Sequence, residues 1–425
     1  MVDRLLLCRS CGAQYPFSPR FTPCDACQGP LDVDVDIRAA FKRVPPGAFE
    51  QSGGNIARFA PFFAISNAED FVTLGEGGTP LFRHARLNAL VGMPNLFIKN
   101  EAANPTWSFK DRLNAVNASL ARELGFNNLA AVSTGNHGAS AAAYASAAGL
   151  RSIIFLSHGA PDIYAQMIQA YGGATVLTDW HRSADLLAHL VNEKGWYPSK
   201  SSLPTPISNP FGLQGYKSIA FEIAIALRPR VPDYMLVPVG SGDDLYGTYK
   251  GFLELRELGM IDRVPAFVGC ESATANPLAR ALAANCSNVG KIEDPQTMAV
   301  SIGAGRCSDH ALRAVRSSNG FACSPTDAEI QDAMHLFASV GLLAESSSCV
   351  SLAAVRRLLA EGRIPADTVT VVILTSAGIK WPQEVASLGS TPMLIPAQTE
   401  ALDALLDGCR RTAVKRNAFR VDHPT

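Results

Sequence analysis

No stretch of this chain is apolar for long enough to span a bilayer, and neither sign of charge dominates it. Lys and Arg number 37 against 38 Asp and Glu, a formal net charge of -1, so no basic face for nucleic acid is implied. After Met1 the chain runs through Val2, Asp3 and Arg4 into only three leucines before Cys8, too little for the apolar segment of a secretory signal. A cytoplasmic protein without membrane or nucleic-acid partners is the expectation. Two nucleotide signatures are missing as well. There is no Gly-Lys-Ser or Gly-Lys-Thr phosphate loop, and GSGDD at 240–244 lacks the third glycine of a dinucleotide fingerprint. No internal repeat is visible. With 47% hydrophobic and 18% charged residues, disordered and fibrous classes are excluded, and 425 residues suggest two or three domains.

Cysteine is plentiful by contrast. Ten cysteines in a reducing compartment argue for metal ligands and core thiols over a disulfide framework. Cys8-x-x-Cys11 and Cys24-x-x-Cys27 form two knuckles around a short segment rich in turn-formers. Four thiolates so spaced close a tetrahedral site, and the glycine after each pair gives the backbone room to wrap a metal. With no open coordination position, the expected role is a structural zinc; the alternative is four unligated thiols on a flexible arm. Cys270, Cys286, Cys307, Cys323, Cys349 and Cys409 show no ligand spacing and read as core or incidental thiols.

From about residue 90 short apolar runs alternate with helical patterns. Leu113, Val116, Leu120 and Leu124 recur at helical spacing, with Gly125 as a stop. LAAV (129–132), SIIFL (152–156), ATVLT (174–178), YMLVPVG (234–240), AFVGCE (266–271) and TVTVVILT (368–375) read as strands between helices. That alternation predicts βαβ units and parallel sheets covered on both faces. SKSSLPTPISNPF (199–211) is the expected crossing between two halves, and the basic tail RRTAVKRNAFRVDHPT reads as frayed. Ligands of open α/β sheets bind beyond the carboxyl ends of strands, where STGNHG, GSGDD and TSAGIK all fall. The small residues of GSGDD can offer backbone N–H groups to a phosphate. Asp243 and Asp244 would repel one if they pointed inward, so they are expected to cap the helix that follows.

The wording and order of these loops resemble a known family. LGEGGTPL (74–81), NPTWSFKDR (104–112), STGNHGASAAAYA (133–145), NPFGLQGYKSIAFEIA (209–224), VPVGSGDD (237–244) and ILTSAGIK (373–380) resemble the threonine synthase-like branch of the fold type II pyridoxal phosphate (PLP) enzymes, relatives of the tryptophan synthase β subunit. The cysteine ribbon resembles one carried by a subset of that family. The resemblance implies two open, mostly parallel α/β domains behind a zinc-ribbon-like module: 1–35 the ribbon, 36–90 and 200–390 the larger cofactor-binding domain, 91–199 the smaller domain, 391–425 a C-terminal helix and tail. It implies a homodimer acting on a small amino-acid substrate. By the same resemblance Lys110 bonds to PLP and, once freed, is the general base at the substrate α-carbon. Phe109 lends a wall to the cofactor, Asn136 meets its phenolic oxygen, and Thr375 faces its pyridine nitrogen. Gly240, Ser241, Gly242, Asp243 and Asp244 cradle the phosphate. Ser133, Thr134, Gly135 and His137 receive a substrate carboxylate, with Thr79 and Trp107 beside the substrate.

Several positions depart from the family pattern. Trp107 stands where Gly is common, His137 where threonine synthases have Thr, Asp243 and Asp244 where Gly and Asn are common, and Glu345 precedes Ser-Ser-Ser in place of Pro-Ala-Ser. His137 reads equally as a helix-start residue bonded only locally. Conversion of O-phosphohomoserine to threonine and phosphate is the implied activity. A PLP-dependent β-replacement or β-elimination on a β-substituted amino acid is the alternative, and a PLP-binding regulator is the non-enzyme one. Intact Lys110, Asn136 and Thr375 speak against the last.

Overall fold

The computed structural model describes residues 3–200 and 209–389, with positions 394, 398–400, 402, 403 and 406 of the C-terminal segment. Most of the expected crossing segment and all of the basic tail, with Cys409, lie outside the described residues. The chain divides into two compact units, Met1–Val385 and Ala386–Thr425, and everything below concerns the first. No helix among the described residues is long and apolar enough to cross a membrane.

Short apolar runs set the strands, which sort into three sheets among the described residues. Arg4–Cys8 (β1), Gln14–Pro16 (β2) and Leu31–Val35 (β3) make an antiparallel ribbon ordered β2-β1-β3. Leu81–Phe82 (β4) and Leu96–Asn100 (β5) open a second sheet. The chain then leaves it for a parallel sheet of Asn128–Ser133 (β6), Arg151–Ser157 (β7), Ala174–Thr178 (β8) and Tyr197–Pro198 (β9), ordered β8-β7-β6-β9. It returns with Tyr234–Pro238 (β10), Ala266–Cys270 (β11), Phe321–Cys323 (β12) and Thr370–Leu374 (β13), completing the order β12-β11-β10-β13-β5-β4. Only the β4 edge pairs antiparallel there. Every residue of the central β13 is buried, as a strand covered on both faces requires.

The sheets change later than the boundary at 91 that the sequence suggests. β5 pairs with β13 from Leu96 opposite Thr370 to Asn100 opposite Leu374, so it belongs to the larger sheet. Its partner lies far along the chain, a pairing that local alternation does not encode.

The helices that carry the site are Lys110–Glu123 (α1), Asn136–Ala147 (α2), Lys217–Leu227 (α3), Asp243–Glu257 (α4) and Ser346–Ala360 (α5). α1 buries Leu113, Val116 and Leu120 and stops just before Gly125, as their spacing predicts. Beneath it Arg112 is wholly buried between two carboxylates. Its Nε donates to Glu101 Oε2 at 2.6 Å, and its Nη1 to Glu222 Oε1 at 2.7 Å. Lys99 Nζ donates to Glu222 Oε2 at 2.6 Å. This network ties β5, α1 and α3 together.

The ribbon is fastened to the body and is no free arm. Asp32 of β3 is fully buried and accepts from Lys250 Nζ at 2.9 and 2.8 Å, from Tyr246 Oη at 2.8 Å and from Gln214 Nε2 at 2.9 Å. Burial alone would raise this carboxyl; Lys250 and Arg9 instead hold it far below the usual carboxylate range.

Candidate active site

Lys110 opens α1 directly beyond the end of β13. Ser108 bridges to Ser376, and Phe109 N donates to Thr375 O at 2.9 Å, which anchors the segment just before the lysine. Lys110 Nζ donates to Tyr216 Oη at 3.3 Å and lies 4.1 Å from the Phe109 ring centroid. Phe109 in turn stacks on Tyr216 with centroids 5.3 Å apart, so its ring is a wall of the lysine's slot. Enclosure lowers the Lys110 amine to about 8, against the opposing pull of Asp243, Asp244 and Glu345 and with a further push down from Lys200. An amine so placed is partly neutral near pH 8.

The STGNHG stretch is half loop and half helix. Ser133 Oγ accepts from the N–H groups of Gly135 and Gly138 at 2.8 Å each, which satisfies the helix start in place of an N-cap side chain. Gly135 has φ +150°, and a Cβ there would lie 2.5 Å from the Tyr164 ring. Asn136 and His137 therefore sit in the first turn of α2. Asn136 Nδ2 donates to Glu345 Oε2 at 2.7 Å, and its Oδ1 accepts from Tyr164 Oη at 3.2 Å. His137 is buried with Nε2 3.2 Å from Ser199 Oγ, whose proton goes to Asn114 Oδ1 at 2.6 Å. Nε2 is then the donor, and burial beside Lys110 and Lys200 holds the imidazole neutral, well below its ordinary range. Thr134 lies partly exposed within the same loop.

Gly240, Ser241 and Gly242 turn from β10 into α4. Gly242 is the N-cap at φ +88°, and a Cβ on it would meet Ala311 Cβ at 2.6 Å. Asp243 and Asp244 do not cap α4, which has no side-chain cap bond. Both are already inside its first turn and buried: Ser241 Oγ donates to Asp243 Oδ2 at 3.0 Å, and Thr248 Oγ1 to Asp244 Oδ1 at 3.1 Å. Burial pushes the Asp244 carboxyl up to about 7, and its Oδ2 is buried without a hydrogen-bond partner. Near pH 7 the Asp244 carboxyl is therefore partly protonated, which lessens its own repulsion of an anion.

Beyond β13, Thr375 Oγ1 and Ser348 Oγ share a hydrogen bond of 2.7 Å. Glu345, before α5, accepts from Asn136, Ser301 and Ser376. The Ser-Ser-Ser departure is fully used: Ser346 Oγ donates to Glu384 Oε1 at 2.8 Å, Ser347 Oγ accepts from Ser301 N at 3.2 Å, and Ser348 meets Thr375. Trp107 is 46% exposed in a left-handed conformation, φ +59°, which explains why glycine suits this position. Its carbonyl is held by Lys380 Nζ at 3.0 Å and Ala377 N at 3.1 Å. Thr79 leaves the group. Its hydroxyl donates to Glu101 Oε1 at 2.6 Å and accepts from Arg112 Nη2 at 3.1 Å, so it is committed to the network under α1 and not to a substrate.

In the ribbon, one sulfur from each of Cys8, Cys11, Cys24 and Cys27 lies within 4.8 Å of the others. Cys8 and Cys27 are 3.5 Å apart and Cys11 and Cys24 3.6 Å, against about 3.8 Å between sulfurs of a tetrahedral site with bonds of about 2.3 Å. The two knuckles close alike, Gly12 N onto Cys8 O at 2.9 Å and Gln28 N onto Cys24 O at 2.8 Å.

Reasoning from the sequence passes over Tyr216, Ser199, Lys200 and Lys380. Tyr216 falls inside the NPFGLQGYK motif, a signal of importance without a role, and its contact with Lys110 spans 106 residues.

A family model described as "Pyridoxal-phosphate dependent enzyme" matches residues 72–376. Threonine synthase of Methanocaldococcus jannaschii is 33% identical over 94% of this chain and 98% of its own length. Threonine synthase of Methanosarcina acetivorans is 33% identical over 95% of this chain and 98% of its own. A solved structure of maize serine racemase superimposes with a TM-score of 0.62 at 20% identity, covering 73% of this chain and 91% of that one, a likeness of fold alone.

Proposed function

The chain belongs to the threonine synthase-like branch of the pyridoxal phosphate-dependent enzymes, and from that premise we propose that it converts O-phosphohomoserine and water to threonine and phosphate. It is a PLP-dependent lyase; the choice of substrate is our reading. The observation that carries it is the convergence of a lysine lowered to about 8, a glycine turn at a helix start and a paired hydroxyl within a chain that aligns over 94% of its length with a threonine synthase.

The donor set fits the cofactor. Lys110 offers an amine for its carbonyl, and the turn Gly240–Gly242 with the partly protonated Asp244 offers backbone and carboxyl donors for its phosphate. Asn136 would offer its amide to the phenolic oxygen in exchange for its bonds to Glu345 and Ser376, and Thr375, paired with Ser348, offers a neutral hydroxyl for the pyridine nitrogen. Bound there, PLP supplies a sink for the electron pair left when a bond to the substrate α-carbon breaks. Lys110 Nζ takes the α-proton and returns it further along the substrate. Ser133, Thr134 and Gly135 hold the carboxylate at the start of α2. Neutral His137 gives its one N–H to Ser199 and so keeps Nδ1 as an acceptor, adding no charge to the loop.

Incubating the purified protein with O-phosphohomoserine, O-phosphoserine, serine, threonine and diaminopropionate, while following phosphate, ammonia and amino-acid products, tests the reading. Threonine and phosphate from O-phosphohomoserine are expected. If that compound is inert and a β-substituted amino acid turns over, the alternative of β-replacement or β-elimination holds. Trp107 and His137 favour that alternative. Trp107→Gly should leave stability within about 1 kcal/mol, because relief of about 1–2 kcal/mol of left-handed strain opposes an unfolded-chain entropy of about 0.4–1 kcal/mol. The same change should alter the ratio of kcat/KM for O-phosphohomoserine and O-phosphoserine by about tenfold or more, as expected for reshaping a pocket. An unchanged ratio would remove the indole from the pocket.

We assign a structural zinc to Cys8, Cys11, Cys24 and Cys27. Metal analysis of carefully prepared protein should find one zinc per chain; substoichiometric traces would sink the assignment. A cytoplasmic homodimer completes the reading, and light scattering that showed only monomer would contradict the dimer.

A further inference from the structure

Tyr216 occupies a slot that the surrounding backbone is shaped to provide. It ends the turn Gly212–Tyr216, which packs so tightly on α1 that a Cβ on Gly215 would meet Arg112 O at 2.0 Å. On its other side α4 passes with a glycine. A Cβ on Gly247 would lie 2.6 Å from Tyr216 Cβ. The tyrosine is wholly buried, its ring is stacked on Phe109, and its oxygen meets Lys110 Nζ at 3.3 Å. Phe109 immediately precedes Lys110, so the stack fixes the phenol relative to the lysine's own backbone.

We infer that Tyr216 is a further catalytic residue, whose phenol oxygen accepts an N–H bond from Lys110 and holds that amine in line for proton transfer. The inference rests on Lys110 being the base proposed above. When Nζ takes the α-proton, the C–H bond breaks and a third N–H bond forms. The resulting ammonium keeps one N–H on Tyr216, while the pair that held the proton stays with the substrate and its cofactor. Tyr216 itself gives up no proton, because burial, with Asp243 and Asp244 nearby, keeps it a neutral phenol. An acceptor at this distance favours the ammonium over the amine, as does the Phe109 ring face. The other charged or titratable groups facing Lys110 are Asp243 and Asp244 from α4, Glu345 before α5, Lys200 after β9 and His137 in α2.

Tyr216→Phe keeps the ring and removes the acceptor. In the holoenzyme kcat should fall about 10- to 100-fold with KM within about threefold, the low end of what positioned proton transfer contributes. The rise of kcat with pH should move to lower pH by about 1 unit, the shift that losing one charge-assisted hydrogen bond gives. In cofactor-free protein, an amine-acylating reagent followed by peptide mass analysis reads Lys110 directly, and its labelling midpoint should move down by the same amount. A variant that merely unfolds would move that midpoint up toward the free lysine value of about 10.4. In a variant that unfolds as cooperatively as wild type, a midpoint unchanged or moved up, or kcat within about twofold of wild type, overturns the inference. If Lys110→Ala retains turnover, the reading of Lys110 as base fails and this inference falls with it.

Discussion

Replacing Lys110 with alanine is expected to lower turnover by on the order of 10³-fold or more and to remove the protein-bound cofactor's visible absorbance. The size follows from the double duty of one amine, which holds the cofactor and then moves the proton. The environment is built for both tasks: enclosure brings Nζ to about 8, while Tyr216 and Phe109 fix its place. Two other lysines lie close by and neither substitutes. Lys380 is also brought to about 8 by burial, but its amine is bound to the carbonyls of Thr106 and Trp107, each at 3.0 Å. Lys200 follows Ser199 at the end of the smaller sheet and does not sit on the α1 start. Absorbance titration and steady-state assay of the variant check the outcome, and retained activity would refute the assignment of Lys110.

Arg112→Leu should cost about 3–5 kcal/mol of folding stability, the largest loss expected for a single change outside the chemistry. Arg112 is fully buried and spans Glu101 and Glu222 with two edges of its guanidinium, besides bonds to Ser218 Oγ at 2.9 Å and Thr79 Oγ1 at 3.1 Å. Leucine would leave two carboxylates without their main counter-ion. Lysine does not rescue this geometry, having one ammonium where a planar fork is needed. Burial pushes the Glu222 carboxyl up, yet Arg112 and Lys99 pull it below the usual range. Its contribution is thus present above the ordinary carboxyl value of about 4.3 and lost as pH falls through the lower, folded one. Chemical denaturation of wild type and variant at neutral pH measures the difference, and a loss under about 1 kcal/mol would contradict a paired network.

What could be read in the sequence was local or repetitive. The two CxxC knuckles gather their four sulfurs because each knuckle is a self-closed turn, and the Ala-rich α2 and the buried strand Thr370–Leu374 follow from composition. The loops at strand ends were legible too, since a parallel sheet puts its sites there. What escaped depends on partners far along the chain. β5 joins the larger sheet through β13, Thr79 is drawn under α1 by Arg112, and Tyr216 reaches Lys110 across a turn that two glycines make possible. Asp243 and Asp244 are not the expected caps because Gly242 takes the cap position, which puts the two carboxyls one and two steps into the helix.

Reduction of the holoenzyme with borohydride, followed by peptide mass analysis, tests the central assignment most directly, because it fixes the cofactor on whichever lysine holds it. The pyridoxyl group is expected on Lys110. Finding it on Lys200 or Lys380, or on no lysine, would contradict the site described here.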